Sequence, residues 1–311
     1  MLTLLYAGSD AQWPVYEATL GAALEGAGIA GKLTREADAA DVDYIIYAPT
    51  GPLADFAPYT KAKAVLSLWA GVEKIVGNES LTQPLCRMVD RGLAEGMVEY
   101  VLGHALRGHL EMHRYLVNPE ARWEAAAPPL ARDRKVAVLG LGALGAACAR
   151  ALKAVNFDVH GWSRSEKAGG IDGITLHHGE SGLAEALRGA QIVVTLLPDT
   201  PQTVDLMNAE RLALLAHGAH LINPGRGVLV DDAALLAALD SGQVGHATLD
   251  VFRVEPLPPE HPYWSDPKVT VTPHIAAETR AESCSDVIVE NIRRFEAGET
   301  PLYLVDRTLG Y

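Results

Sequence analysis

Three short stretches carry side chains that could steady a negative charge and move a proton. They are Asn223-Pro224-Gly225-Arg226-Gly227, Leu249-Asp250-Val251-Phe252-Arg253-Val254-Glu255-Pro256 and Thr272-Pro273-His274-Ile275-Ala276-Ala277. A guanidinium offers a planar fork of donors that can grip a carboxylate and a neighbouring carbonyl oxygen. An imidazole titrates near neutral pH, so it can deliver a proton to an oxygen gaining charge, or accept one in the reverse direction. A carboxylate beside the ring orients it and favours the imidazolium form. Together these groups meet the needs of carbonyl reduction, which makes Arg226, Glu255 and His274 the candidate catalytic residues. Singly, each has an ordinary reading as a loop charge, a solvated acid or a strand-capping histidine. The assignment rests on their appearing together, each after one of a series of strands.

A second constellation could hold a nucleotide. Lys135-Val-Ala-Val-Leu-Gly140-Leu-Gly142-Ala143-Leu144-Gly145 reads as a strand, a GxGxxG turn and the start of a helix of small residues. In such a turn the first glycine allows the bend, the second lets a pyrophosphate approach the backbone, and the third allows close packing of helix on sheet. The helix N-terminus adds free N–H groups and a positive dipole end. Where an acid would meet the ribose 2′-hydroxyl, at the end of the next strand, the sequence runs Trp162-Ser163-Arg164-Ser165. A carboxylate there would repel a 2′-phosphate, whereas a guanidinium and two hydroxyls can bind one. The stretch therefore points to NADP(H) as the preferred cofactor. NAD(H) remains a usable alternative if Arg164 only stacks on the adenine.

Regularly spaced elements must position these groups. Short apolar runs at Leu2–Tyr6, Tyr44–Ala48 and Ala64–Leu68 have the character of buried parallel strands, with a helix near Trp13–Glu25 between the first two. Further strands are expected at Lys135–Leu139, Phe157–Trp162, Ile192–Leu197, Ala219–Asn223, His246–Val251 and Val269–Thr272. Helices at Ala143–Val155, Gly182–Arg188, Ala209–His217 and Asp231–Ser241 separate most of them. This is the alternation of a doubly wound α/β sheet, in which ligands bind along the carboxyl edge of the strands. Apolar residues from Val98 to Leu110 recur at a helical period within Val98–Leu116, a helix that Asn118-Pro119 should stop. An irregular connector runs over Glu120–Arg134. A last helix is expected over Glu278–Ala297, possible as a return to the first domain.

The bulk properties agree with this reading. The chain has 311 residues, 49% hydrophobic and 21% charged, which suits two domains with sizeable cores. A net charge of −13 argues against a general nucleic-acid binder. No apolar run approaches a membrane span, and the N-terminus lacks the basic region of a signal peptide. Three scattered cysteines, Cys86, Cys148 and Cys284, form no CxxC pair, so neither a disulfide framework nor a zinc site is expected, and a reducing cytoplasm is the simplest home. His104, His109 and His113 share one helix, but no acid is spaced to complete a metal site. His177-His178 reads as part of a polar loop, and Cys148 as a small packing residue.

On these motifs the chain resembles the D-2-hydroxyacid dehydrogenases, and among them the bacterial glyoxylate/hydroxypyruvate reductase A group. Leu197-Pro-Asp-Thr-Pro-Gln-Thr203, Asp231-Asp-Ala-Ala-Leu-Leu-Ala-Ala-Leu-Asp-Ser-Gly242, Glu255-Pro-Leu-Pro-Pro259 and Val305-Asp-Arg-Thr-Leu-Gly-Tyr311 carry the likeness. It implies two Rossmann-like doubly wound parallel-sheet α/β domains with a cleft between them. Residues 1–98 with 279–311 would form a discontinuous substrate domain, and 99–278 the dinucleotide-binding domain. It also implies a homodimer built on the helix and arm over 98–134. Arg226, Glu255 and His274 fall on the family's catalytic positions, and Asp250 on the acid that meets the nicotinamide carboxamide. Leu197, Pro198 and Thr203 would line the adenosine side, with Pro224, Gly225, Ala276 and Ala277 completing the cofactor site.

The resemblance further assigns Trp69, Ala70 and Gly71 to a substrate loop whose N–H groups hold the carboxylate of a small anionic 2-keto or 2-hydroxy acid, with Arg87 and Met97 nearby. Here the chain departs from the pattern: a glycine is usual at Trp69 and an aspartate at Glu73. Either the indole narrows the pocket or contacts substrate, or it packs beneath the loop and only its neighbours' N–H groups matter. Two other functions stay open. One is reduction of a different 2-keto acid, and the other is a nicotinamide-sensing binding protein, whose mark would be a missing Arg226, Glu255 or His274.

Overall fold

The computed structural model describes residues 1–112, 115, 120, 121, 123 and 125–311. The chain divides into two units, Met1–Leu93 with Glu278–Tyr311, and Ala94–Ala277. Each carries its own parallel sheet.

In the first unit β1 (Leu2–Ala7), β2 (Gly31–Thr34), β3 (Tyr44–Tyr47), β4 (Ala64–Ser67) and β5 (Leu85–Cys86) pair in the order β2-β1-β3-β4-β5, all parallel. Successive side chains on a strand face opposite ways. Leu4, Tyr6, Tyr44, Ile46, Ala64 and Leu66 therefore lie on one face, where Leu20 and Leu24 of α1 (Trp13–Gly26) meet Ile288 and Ile292 of a late helix, Ala281–Ala297. Leu5, Ile45 and Val65 face the other side and pack with Phe56, Ile75 and Leu81. Because both faces are buried, β3 and β4 read as unbroken apolar runs.

The second unit has a seven-stranded sheet of β6 (Lys135–Leu139), β7 (Asp158–Ser163), β8 (Thr175–His178), β9 (Ile192–Thr195), β10 (Ala219–Asn223), β11 (Val244–Leu249) and β12 (Val269–Val271). Its order is β12-β11-β10-β9-β6-β7-β8, and every pair is parallel. Strand order reverses between β6 and β9, the switch point at which open α/β sheets take ligands. One face is covered by α2 (Arg91–His109), through Met97, Val101 and Ala105 at intervals of four, and by α3 (Ala143–Ala154), through Cys148, Ala149 and Leu152. The other is covered by α4 (Gly179–Leu187), α5 (Ala209–Leu212) and α6 (Asp232–Ser241), around Leu183, Leu212, Leu235 and Leu239. The late helix of the first unit is α7.

Several elements differ from the sequence reading. Helix α2 begins at Arg91, seven residues before the expected Val98, because Gly92 and Gly96 in its first turns hide the helical pattern. It ends at His109, and residues 110–112 form a turn with Glu111 at φ of +51°, so the helix does not run on unbroken to Leu116 as expected; His113, Leu116 and the Asn118-Pro119 stop lie outside the described residues. Helix α5 ends at Leu212 in a series of turns and does not reach His217. His177 and His178 belong to strand β8: the His177 ring stacks on His160 at 5.1 Å, with Nε2 2.9 Å from His160 Nδ1. Ladder pairing with β7, together with the His177–His160 stack, makes a strand of residues that favour loops in isolation. Among the described residues no helix is long and apolar enough to cross a membrane.

Candidate active site

All strands of the second sheet run parallel, so their carboxyl ends share one edge. The nucleotide-like turn follows β6 there. Gly140 has φ of +101°, and a Cβ on it would lie 2.4 Å from the Leu196 carbonyl oxygen; one on Gly145 would lie 1.7 Å from the Gly140 oxygen. Both must be glycine for turn and helix to pack. Gly142 differs: nothing lies within 4 Å of where its Cβ would stand. It is the N-cap of α3, so Ala143, Leu144 and Gly145 open the helix beside unfilled space.

At the end of β7 no carboxylate stands where the sequence lacks one. Ser163 Oγ donates to the Ser165 carbonyl at 2.8 Å, and Arg164 is exposed. After β9, Leu197 and Pro198 are half-buried, and Thr203 closes the loop: its hydroxyl accepts from Thr200 N–H at 2.9 Å and donates to the Pro198 carbonyl at 2.7 Å.

The three chemical groups follow β10, β11 and β12. Asn223, buried at the end of β10, accepts from the Thr195 hydroxyl at 2.7 Å and from Gly225 N–H at 3.2 Å, and donates to the Arg226 carbonyl at 2.9 Å. That brace sets the turn through the buried Pro224 and Gly225 and leaves Arg226 extended and half-buried, its Nη1 2.7 Å from the Gly225 carbonyl. A Cβ on Gly227 would stand 2.0 Å from the Phe252 carbonyl carbon, so this loop lies directly on the one that leads to Glu255.

Asp250 is completely buried after β11. Its carboxylate accepts from the Thr272 hydroxyl at 2.6 Å and from Ile275 and Ala276 N–H at 2.9 Å each, while its carbonyl accepts from His274 N–H at 2.9 Å. His274 is thereby held at φ of +55°, a left-handed conformation costly for a residue with a side chain. Glu255 completes the arrangement: Oε1 accepts from Phe252 N–H at 2.9 Å, and Oε2 lies 2.8 Å from His274 Nδ1. The His274 side chain is 51% exposed. With Nδ1 engaged, Nε2 is the nitrogen left to exchange a proton.

The stretch expected to hold substrate, Trp69 to Gly71, lies in the first unit, after β4. The buried Ser67 hydroxyl spans Trp69, accepting from its N–H and donating to its carbonyl, both at 3.1 Å; Met88 N–H also donates to that carbonyl at 2.9 Å. The Trp69 residue is 37% exposed, with Lys74 Nζ 5.9 Å from a ring centroid. At this exposure the indole is not fully packed beneath the loop. Met97 is buried in the same core cluster as Ala276, while Arg87 follows β5 in the first unit.

Asp250 and Asn223 in the second unit, and Ser67 in the first, brace the loops beside them in ways that residue types alone do not reveal. Their signal is a polar residue closing an otherwise apolar strand, where an unpaired group would be costly. Elsewhere, His109 packs edge-on against Phe157 and His104 against Tyr100, and burial lowers the pKa of both imidazoles. Among the described residues no group of three or more His, Cys, Asp or Glu could hold a metal ion.

A two-unit α/β chain with a nucleotide turn and an Arg–Glu–His set on one sheet edge has the build of a dehydrogenase. Residues 100–276 match the family model of the D-isomer specific 2-hydroxyacid dehydrogenase NAD-binding domain. The chain belongs to the D-isomer specific 2-hydroxyacid dehydrogenase family. It is 41% identical over 259 residues to glyoxylate/hydroxypyruvate reductase A of Serratia proteamaculans, covering 81% of this chain and 82% of that one. The same-named protein of Yersinia enterocolitica is 38% identical over 286 residues, or 89% and 90% of the two chains. A D-isomer specific 2-hydroxyacid dehydrogenase of Xanthobacter autotrophicus Py2, solved with NADPH and MES, superposes with a TM-score of 0.92 at 41% identity, covering 99% of each chain. The NADPH-dependent glyoxylate/hydroxypyruvate reductase of Sinorhizobium meliloti, solved with NADP and sulfate, gives 0.85 at 34% identity over 100% of this chain and 99% of that one.

Proposed function

We propose that this enzyme reduces small 2-keto acids, glyoxylate and hydroxypyruvate foremost, to 2-hydroxy acids, and that it prefers NADPH to NADH. The observation that carries the proposal is the 2.8 Å contact of Glu255 with His274 Nδ1, on the sheet edge that also carries Arg226.

The residues fit a dinucleotide. Gly142 borders empty space at a helix N-terminus, where the N–H groups of Ala143, Leu144 and Gly145 suit a pyrophosphate. Ser163, Arg164 and Ser165 would take a 2′-phosphate, and Leu197, Pro198 and Thr203 the adenosine side. Pro224, Gly225, Asp250, Ala276 and Ala277 would border the nicotinamide. Bound NADPH supplies the hydride. Arg226 then grips the substrate's carboxylate and carbonyl oxygen, and its charge offsets the charge developing on that oxygen. His274 hands the oxygen a proton from Nε2 while Glu255 fixes the ring through Nδ1. From the first unit, Ala70 and Gly71 N–H groups, which donate to no acceptor among the described residues, would hold the carboxylate beside Trp69.

We further assign a homodimer through α2 and the arm over 98–134. Leu110, Met112, Trp123 and Leu130 stand exposed in that stretch, as a contact surface requires. The cytoplasm suits the three cysteines, which are buried free thiols; burial pushes Cys86 and Cys148 up to about 12.

The test is oxidation of NADPH and NADH by the purified protein with glyoxylate, hydroxypyruvate, pyruvate and a phenyl-substituted 2-keto acid. Fast turnover of the first two with NADPH is the expected result. Tight NADPH binding with no turnover of any of them would overturn it in favour of a sensing role.

A further inference from the structure

The substrate loop of the first unit combines three features. Its backbone is clasped: the Ser67 hydroxyl bonds both amide groups flanking the Trp69 Cα, and Met88 N–H adds a second bond to the Trp69 carbonyl. Immediately afterwards come two N–H groups, on Ala70 and Gly71, without an acceptor among the described residues. Between clasp and donors projects a half-exposed indole, with the Lys74 ammonium 5.9 Å from one ring centroid. An exposed cation–π contact of this kind contributes about 0.5–1 kcal/mol, enough to bias the ring's orientation.

Covalent geometry ties these features together. The Trp69 Cβ is three bonds from the Ala70 nitrogen, so an anion held by the Ala70 N–H lies within the indole's own length of the ring. In a 2-keto acid the carboxylate is bonded to C2, and C2 bears the substituent that distinguishes one acid from another. A tryptophan side chain presents roughly 150–250 Å² of surface, comparable to a phenyl-bearing substituent, where a glycine would present none. A ring on a fixed backbone cannot give way by moving the loop, and displacing it sacrifices the Lys74 contact.

Building on the function proposed above, we propose that Trp69 is the specificity-determining residue that limits the size of the C2 substituent, confining the enzyme to substrates such as glyoxylate and hydroxypyruvate. The indole acts as a wall and not as a ligand of the common 2-keto carboxylate core. Trp69→Gly therefore enlarges the range of substrates, whereas removal of a shared contact would lower every rate alike.

The experiment measures kcat and KM for wild type, Trp69→Gly and Trp69→Phe with glyoxylate and with a phenyl-substituted 2-keto acid, and NADPH affinity by fluorescence. The expected result for Trp69→Gly is a rise of at least tenfold in the kcat/KM ratio of the phenyl acid to glyoxylate, chiefly through the phenyl acid's KM, with unchanged NADPH affinity. Trp69→Phe should fall between the two proteins. A ratio that stays constant in both variants, or equal losses on both acids, overturns the wall while leaving the reductase reading intact. A wild-type protein that turns over neither acid overturns the function itself and the wall with it.

Discussion

Asp250→Asn separates two roles that a single carboxylate could hold. The side chain is fully buried, and its two oxygens accept three hydrogen bonds from the segment that carries His274. An asparagine of the same shape can keep its oxygen toward Thr272 and Ile275, but it then turns an N–H₂ group toward the Ala276 N–H. That buried donor loses its partner, at a cost of about 1–3 kcal/mol, and the surviving bonds lose their charge assistance. The opposite amide orientation abandons two bonds and is worse. A net loss of about 2–3 kcal/mol, at 2–4 °C per kcal/mol for a unit of this size, lowers the unfolding midpoint by roughly 4–12 °C. The loop must also relax from the φ that Asp250 imposes on His274, so kcat falls with stability. Scanning calorimetry and steady-state kinetics on the same preparation measure both. If Asp250 served only the nicotinamide, the midpoint would stay within about 1 °C while NADPH affinity fell, and that result would refute the brace.

Other expectations follow from the same geometry. His274→Ala removes the proposed proton donor and should lower kcat by about 10²–10⁴, with NADPH binding by fluorescence nearly unchanged; an unaffected rate would end the acid/base assignment. Arg164→Ala should weaken NADPH much more than NADH, and equal losses measured by titration would remove the 2′-phosphate argument. In α7, hydrogen bonds from Arg293 and then Arg294 hold the Glu290 carboxyl at about 2, below its ordinary 4.5. Because the folded value is the lower one, its contribution is present above pH 4.5 and is lost as pH falls toward 2. At an exposed site that contribution is under about 1 kcal/mol, so Glu290→Gln should show a slightly smaller loss of stability than wild type across that window in acid titrations followed by circular dichroism.

The central strands were the most legible part of the sequence. Lys135–Leu139 and Ala219–Asn223 keep their expected bounds, because a strand buried on both faces reads as a mainly apolar run set off from the turns beside it. Edge strands escaped for the opposite reason. Gly31-Lys32-Leu33-Thr34 and Thr175-Leu176-His177-His178 face solvent for part of their surface, so their composition resembles that of a loop and pairing alone makes them strands. Helix α2 lost its first turns to Gly92 and Gly96, and α5 was overextended because the apolar residues after Leu212 belong to turns. At the site, the chemical groups were legible because Arg, Glu and His are rare in such apolar surroundings. The partners that hold them were not. Pairing of Asn223 with Thr195, 28 residues away, or of Asp250 with Ala276, 26 residues away, depends on which strands lie side by side.

Those partners form one continuous structure. Thr195 ends β9 and bonds Asn223 at the end of β10; the Asn223 carbonyl accepts from Asp250 N–H at 3.1 Å after β11; and the Asp250 carboxylate bonds the loop after β12. Gly227 rests against Phe252, whose N–H donates to Glu255. Arg226, Glu255 and His274 are thus tied to one another across four strand ends and share the same bracing. Groups coupled in this way do not contribute independently. Loss of either Asn223 or Asp250 should disturb all three proposed catalytic side chains together, and the double loss should add less than the sum of the two. The half-exposed Glu255–His274 pair gains its precision from this buried layer, where water does not compete for the hydrogen bonds.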